Sequence, residues 1–112
     1  MLNLLFAYGI LRSGFENPYA HLLRTQAEAA GAAAVSGSIY RVGNFPAYKS
    51  EPARQVHGEL YRLKDPETIL KSLDEYEGED FERIVVDGYW IYQYVPDPPE
   101  NSLIPSGDFR AP

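Results

Sequence analysis

Hydrophobic and polar positions fall into stretches of distinct period along the chain. Leu2 to Tyr8 is apolar throughout except for Asn3 and is closed by Gly9, which predicts a short strand buried on both faces. Gln55 to Leu63 alternates: Val56, Gly58, Leu60 and Arg62 share one face, and His57, Glu59, Tyr61 and Leu63 share the other. Both faces carry apolar residues, so a strand partly covered on each side is expected, and Glu59 is out of place on it. Val35 to Tyr40 also has period two and predicts a strand starting near Ala32, although the Ala- and Gly-rich run 27–37 fits helix or strand equally. Gly43-Asn44-Phe45-Pro46 predicts a turn or loop, leaving Phe45, Pro46, Ala47 and Tyr48 as an apolar-aromatic loop that walls a pocket or covers the core.

Helical spacing appears twice. Asn17-Pro18 reads as an N-cap with proline at the first helical position, opening a helix to about Ala27 with Leu22 and Leu23 inward. Asp65-Pro66-Glu67 repeats the signal and places an acid in the first turn. Ile69, Leu70, Leu73 and Tyr76 then recur at helical spacing, predicting a helix from Pro66 to about Tyr76 with Gly78 in the left-handed position that ends helices. Phe81 to Val86 and Tyr89 to Val95 flank Asp87-Gly88, a strong hairpin signal. Pro96-Asp97-Pro98-Pro99 stops the sheet, and the tail from Ile104 to Phe109 is rich in turn residues. The order is α+β: strand, loop, helix, two or three strands, helix, hairpin, tail. At 112 residues it fits a single domain, 1–112.

Composition narrows the function classes. Hydrophobic residues make up 45% of the chain, enough for one packed core. A net charge of −6 argues against non-specific binding of nucleic acid or anionic membrane, so neither is expected as a partner. Cysteine is absent, which excludes disulfides, thiol nucleophiles and thiolate metal sites. His21 and His57 are the only histidines, so a His-rich metal centre is not expected; no cofactor is expected either. The apolar start lacks a basic segment and contains Tyr8-Gly9; it reads as a strand rather than a signal peptide or span, and a cytoplasmic location is expected. The nine tyrosines suit a half-buried sheet face or a pocket wanting an apolar body with a polar tip.

Candidate chemistry lies in two stretches. Gly9-Ile10-Leu11-Arg12-Ser13-Gly14 follows a strand and exposes backbone N–H groups able to hold an anion, but lacks the endings of the Walker and dinucleotide loops. Leu73-Asp74-Glu75-Tyr76-Glu77-Gly78 crowds acids at a helix C-terminus, where the macrodipole disfavours each by about 0.3–1 kcal/mol. Glu77 follows Leu73 by one helical turn and falls on the inward stripe if the helix extends that far. Glu75 turns toward solvent, and Asp74 caps backbone or repels Glu77. A cation site built from Asp74, Glu75, Glu77, Glu79 and Asp80 is the weaker alternative, because these residues span a helix end.

Phe6 to Gly14, Gly58-Glu59-Leu60-Tyr61, Leu73 to Gly78 with Phe81-Glu82-Arg83, and Ile104 to Phe109 occur in an order that resembles the gamma-glutamylcyclotransferase-like superfamily, over about Leu4 to Phe109. The resemblance implies a small mixed β-barrel with flanking helices. It implies that Tyr8, Gly9, Ile10 and Leu11 hold a gamma-glutamyl group through backbone amides and that Glu77 is the catalytic acid/base. It further implies a small-molecule gamma-glutamyl substrate, 5-oxoproline as product, and a monomer or homodimer. Phe81 and Arg83 match the family's aromatic-x-Arg, with Phe where Tyr is usual. Ile10 stands where the family carries Ser or Thr, so a hydroxyl is lost; the competing reading is a silent or repurposed binding module on the same fold. Tyr8 or Tyr61 would supply a polar tip to the pocket.

Overall fold

The computed structural model describes residues 2–9 and 18–110. Its centre is β1 (Leu4–Ala7), whose successive side chains enter opposite layers. Leu5 and Ala7 join a core with Leu23, Leu63, Ile69, Leu70 and Leu73 on the helical side. Phe6 and Tyr8 join a second core with Val35, Ile39, Tyr48, Val56 and Ile91. A strand buried on both faces has no polar alternation to show, which explains its continuous apolar run.

The remaining elements are α1 (Pro18–Gln26), β2 (Ala27–Ser36), β3 (Ser38–Val42), β4 (Phe45–Lys49), β5 (Gln55–Leu63), α2 (Pro66–Glu77), β6 (Phe81–Val86) and β7 (Tyr89–Tyr94), followed by a short 3₁₀ turn, Glu100–Ser102. The main sheet has five strands in the order β2-β5-β1-β7-β6, and β3-β4 form a separate two-stranded sheet. β1 runs antiparallel to β5 and parallel to β7, with Leu5 opposite Trp90. The β6–β7 hairpin turns through Asp87 and Gly88 at φ 54° and 88°, both positive as a type I′ turn requires. Among the described residues no helix is long and apolar enough to cross a membrane.

Several expectations need correction. The sheet does not close into a barrel: in the described residues β2 and β6 are its edges. Closure requires a continuous ladder in register between the two edges. Here the edges are linked at one end by a side chain instead, the Ser36 N–H donating to the Asp87 carboxylate at 2.9 Å. The chain leaves β2 at Gly37, where Tyr48 packs too closely for any Cβ and donates its hydroxyl to the Ser36 carbonyl. β3 and β4 then form their own sheet, tied to β7 through Lys49 Nζ on the Val95 carbonyl at 3.0 Å and Ser50 N–H on Gln93 Oε1 at 2.8 Å. The second correction is that Phe45 to Tyr48 is strand β4, not a loop; Pro46 is accepted because β4 pairs with β3 alone.

The Ala-rich run is strand β2 because β5 pairs with it along its length, with an irregularity between Ala29 and Ala32. Asp65 caps α2, accepting from the Thr68 N–H at 3.5 Å and its hydroxyl at 2.8 Å. The helix runs one residue past Tyr76, so Glu77 is its last residue. Asn17 and the loop residues Ile10 and Leu11 lie outside the described residues.

Candidate active site

Strand β1 ends at Ala7, and Tyr8 and Gly9 continue it to the rim of a cavity of about 580 Å³. The start of β4 gives Phe45 and Pro46 to the wall, and the end of α2 gives Tyr76, Glu77 and Gly78. Glu79, Asp80 and Phe81 complete that side, with Tyr92 of β7 beside them. The volume lies within the range usual for small-molecule pockets. Among the described residues the lining carries three carboxylates and no cationic side chain. Phe45, Phe81 and Tyr94 meet edge-on or tilted with ring centroids 5.4–6.0 Å apart, joining the β4 wall to the β6–β7 hairpin.

Glu77 reaches this cavity because α2 keeps its inward stripe for one more residue before it stops. Gly78 ends the helix at φ 78°, ψ −166°, a positive-φ extended backbone open to glycine rather than the left-handed helical position expected, and its N–H donates to the Asp74 carbonyl at 3.1 Å. The link to β6 is bonded at both ends, Phe81 N–H to Gly78 at 3.4 Å and Val95 N–H to Asp80 at 2.7 Å. Burial raises the Glu77 carboxyl from the ordinary 4.5 to about 7. No donor among the described residues reaches that carboxylate.

Tyr8 is 7% exposed. Its hydroxyl donates to the Tyr92 carbonyl at 2.6 Å and accepts from the Tyr48 N–H at 3.4 Å. The phenol therefore straps β1 to β7 and β4. Burial, followed by the nearby Glu77 charge, pushes its pKa well above the ordinary phenol value. Tyr61, the other candidate polar tip, lies in the helix-side core and does not line the cavity. Gly9 has the ring of Pro46 where a side chain would begin. We expect Gly9→Ala to displace β4 or the rim and to cost about 1–3 kcal/mol, measured by urea denaturation; an unchanged midpoint would show that the contact yields freely.

Asp74 does not line the cavity and is held by two partners. Arg83 forks onto it, Nε to Oδ1 at 2.9 Å and Nη2 to Oδ2 at 3.2 Å. The Tyr92 hydroxyl donates to Oδ1 at 2.7 Å. Burial works to raise the Asp74 carboxyl, but the guanidinium and the phenol outweigh it and hold it below the ordinary range. Arg83 also lies 4.3 Å above the Trp90 ring. Of the pair Phe81 and Arg83, the ring serves the cavity and the cation serves Asp74. Glu75 is exposed and does not line the cavity, so the five acids do not converge. Glu59, the odd residue of β5, meets Arg110 at 3.2 Å. Tyr92 was missed by sequence reasoning: in Tyr89 to Tyr94 both alternating faces are largely aromatic or aliphatic, so nothing marks the one that meets the site.

Residues 5–111 match the family model described as gamma-glutamyl cyclotransferase, AIG2-like. No curated protein gives a match. Among solved structures, protein PH0828 from Pyrococcus horikoshii superposes with a TM-score of 0.77 at 21% identity, covering 96% of this chain and 89% of that one. Protein ytfP from Escherichia coli does so at 0.67 with 29% identity and 95% of each chain covered. An AIG2-like protein (GGACT) from Mus musculus gives 0.71 at 21% identity, covering 96% of this chain and 87% of the other. The likenesses at 21% speak for the fold, and the family model spans nearly the whole length: the chain belongs to the gamma-glutamyl cyclotransferase, AIG2-like, family.

Proposed function

We propose that this protein is a cyclotransferase that releases an amine or amino acid from a small gamma-glutamyl compound and leaves 5-oxoproline. The α-nitrogen of the glutamyl group attacks its own γ-carbonyl carbon; the lactam C–N bond forms and the γ-amide C–N bond breaks. The α-ammonium gives up two protons in becoming the lactam N–H, and the departing nitrogen takes one to leave as a neutral amine and a second on release to water. Glu77 accepts a proton from the attacking nitrogen and returns it to the leaving one. The substrate carries its own nucleophile, so the reaction calls on no serine, cysteine, metal or cofactor. The remaining contribution is to hold the glutamyl chain curled so that amine and carbonyl meet, which Tyr8 to Leu11 are positioned in sequence to do.

The observation that carries this reading is Glu77 itself. It is a carboxyl in the wall of a substrate-sized cavity, with burial raising it to about 7, the region in which one group both takes and gives a proton. Gamma-glutamyl amines and gamma-glutamyl dipeptides assayed for 5-oxoproline test it; we expect release from at least one of them. Ile10 favours a second reading, a binding protein without turnover on the same fold. Binding across the panel with no 5-oxoproline would decide for that reading, and turnover gained in Ile10→Thr would identify the missing hydroxyl as what limits the activity.

A further inference from the structure

The two phenols beside Glu77 are both committed elsewhere. Tyr8 gives its proton to the Tyr92 carbonyl at 2.6 Å, and Tyr92 gives its own to Asp74 Oδ1 at 2.7 Å. Tyr92 and Glu77 line the same cavity, and the Glu77 charge acts on both rings. Asp74 and Glu77 are three residues apart on α2, neighbours on the helix surface, so Glu77 is the carboxylate next to the one that holds the Tyr92 hydroxyl. Arg83, stacked on Trp90, holds Asp74 in place through two bonds of 2.9 and 3.2 Å.

We propose that Asp74 is a positioning residue: by accepting the Tyr92 hydroxyl, it withholds that donor from Glu77 and keeps Glu77 free to accept the proton of the reaction. The proposal rests on the reading of Glu77 as the acid/base. The titratable groups around Glu77 are Tyr8 from β1 and Tyr92 from β7, with Glu79 and Asp80 just beyond it, all lining the same cavity, and Asp74 three residues back on its own helix; Arg83 of β6 acts through Asp74. A hydrogen bond donated to a carboxylate favours its ionised form and makes it a weaker base. Glu77 instead is half-buried with no such donor among the described residues, and desolvation raises its carboxyl to about 7. The same bond fixes the Tyr92 ring as a wall of the cavity. The family's aromatic-x-Arg, as Arg83 carries it here, thereby acts on the reacting carboxyl at one remove, without touching the cavity.

Carboxyl-¹³C glutamate labelling of the full chain, titrated by NMR without substrate, tests this in wild type, Asp74→Ala and Asp74→Ala/Tyr92→Phe. The Asp74 side chain is 42% exposed on a helix, where alanine is well tolerated. The Glu77 midpoint should fall by about one pH unit or more in Asp74→Ala and return toward the wild-type value when Tyr92 loses its hydroxyl. Asp74→Asn keeps an acceptor oxygen for Tyr92 and should titrate above Asp74→Ala. A midpoint that does not move in Asp74→Ala overturns the proposal. So does an equal fall in the double variant, which would assign the effect to the unpaired Arg83 charge. Equal midpoints for the Asn and Ala variants also count against it. With a gamma-glutamyl substrate, the rising limb of the pH–rate profile should shift with the NMR midpoint. Absence of turnover in the wild type bears on the reading of Glu77, whereas the titration needs no substrate and decides the role of Asp74 alone.

Discussion

Glu77→Gln forms 5-oxoproline on the order of 10²–10⁴-fold more slowly than the wild type, the usual cost of removing a general acid/base. Glutamine keeps the length and shape of the side chain, so the cavity and the Tyr8-Gly9 rim stay as they are. What it lacks is the ability to take a proton at one nitrogen and deliver it to another. The loss should therefore fall on kcat, with KM little changed, because the carboxyl acts on the proton being moved rather than on the bound glutamyl group. In the wild type the rate should rise with pH through about 7 as the base form of Glu77 appears. In Glu77→Gln that limb should vanish along with the rate. Steady-state kinetics at several pH values checks both, and turnover equal to wild type would remove Glu77 from its role.

The same substitution should stabilise the fold in alkaline solution. Burial raises Glu77 from 4.5 to about 7 in the folded chain, so the fold favours the neutral form. A raised folded-state pKa means that the folded chain binds more protons than the unfolded one between these two values. Stability is then fully present below about 4.5 and is lost as pH climbs through about 7. At about 1.4 kcal/mol per pH unit, the cost of holding the charged carboxylate is about 3 kcal/mol above pH 8. Glutamine never ionises, so Glu77→Gln should exceed the wild type by about that amount at pH 8 and match it near pH 4.5, on the order of 10 °C in Tm for a chain of this size. Urea denaturation at the two pH values measures it. Equal stabilities at pH 8 would show that the carboxylate is solvated and its pKa ordinary. Loss of activity together with gain of stability in one variant is the pattern expected where a site is held against the preference of the fold.

Periodicity revealed the elements whose partners surround them evenly. β5 was readable to its first and last residue because its two faces meet two cores, and the hairpin was readable because Asp87-Gly88 leaves few other conformations. The first half of β2 was not readable: alanine packs against either period, and only pairing with β5 decides for a strand. β4 was hidden by Gly43 and Pro46, which punctuate the sequence as a loop while β3 supplies a partner across the turn. An open sheet rather than a barrel depends on which edges meet, and no spacing along one strand encodes that. The site divides in the same way. The inward place of Glu77 was legible from the helical stripe and the loop from Gly9 onward from its place after a buried strand, while the roles expected of them came from the family resemblance; the bond from Tyr92 to Asp74 spans 18 residues and two elements without a local pattern.

The central place of β1 has a consequence for how the protein is made. Its neighbours are residues 59–62 on one side and Trp90 on the other, and the Trp90 ring N–H also donates to the Leu2 carbonyl at 2.8 Å. During synthesis the apolar β1 emerges before either partner and waits for β5 with both edges bare, then for β7 with one. Contacts so distant along the chain close slowly, and an unpaired apolar strand invites association with other chains in the interval. The cavity joins Tyr8 to Tyr92, so it takes shape only after β7 has left the ribosome. A nascent chain stalled before that point would carry the glutamate of the site but no pocket for it to serve.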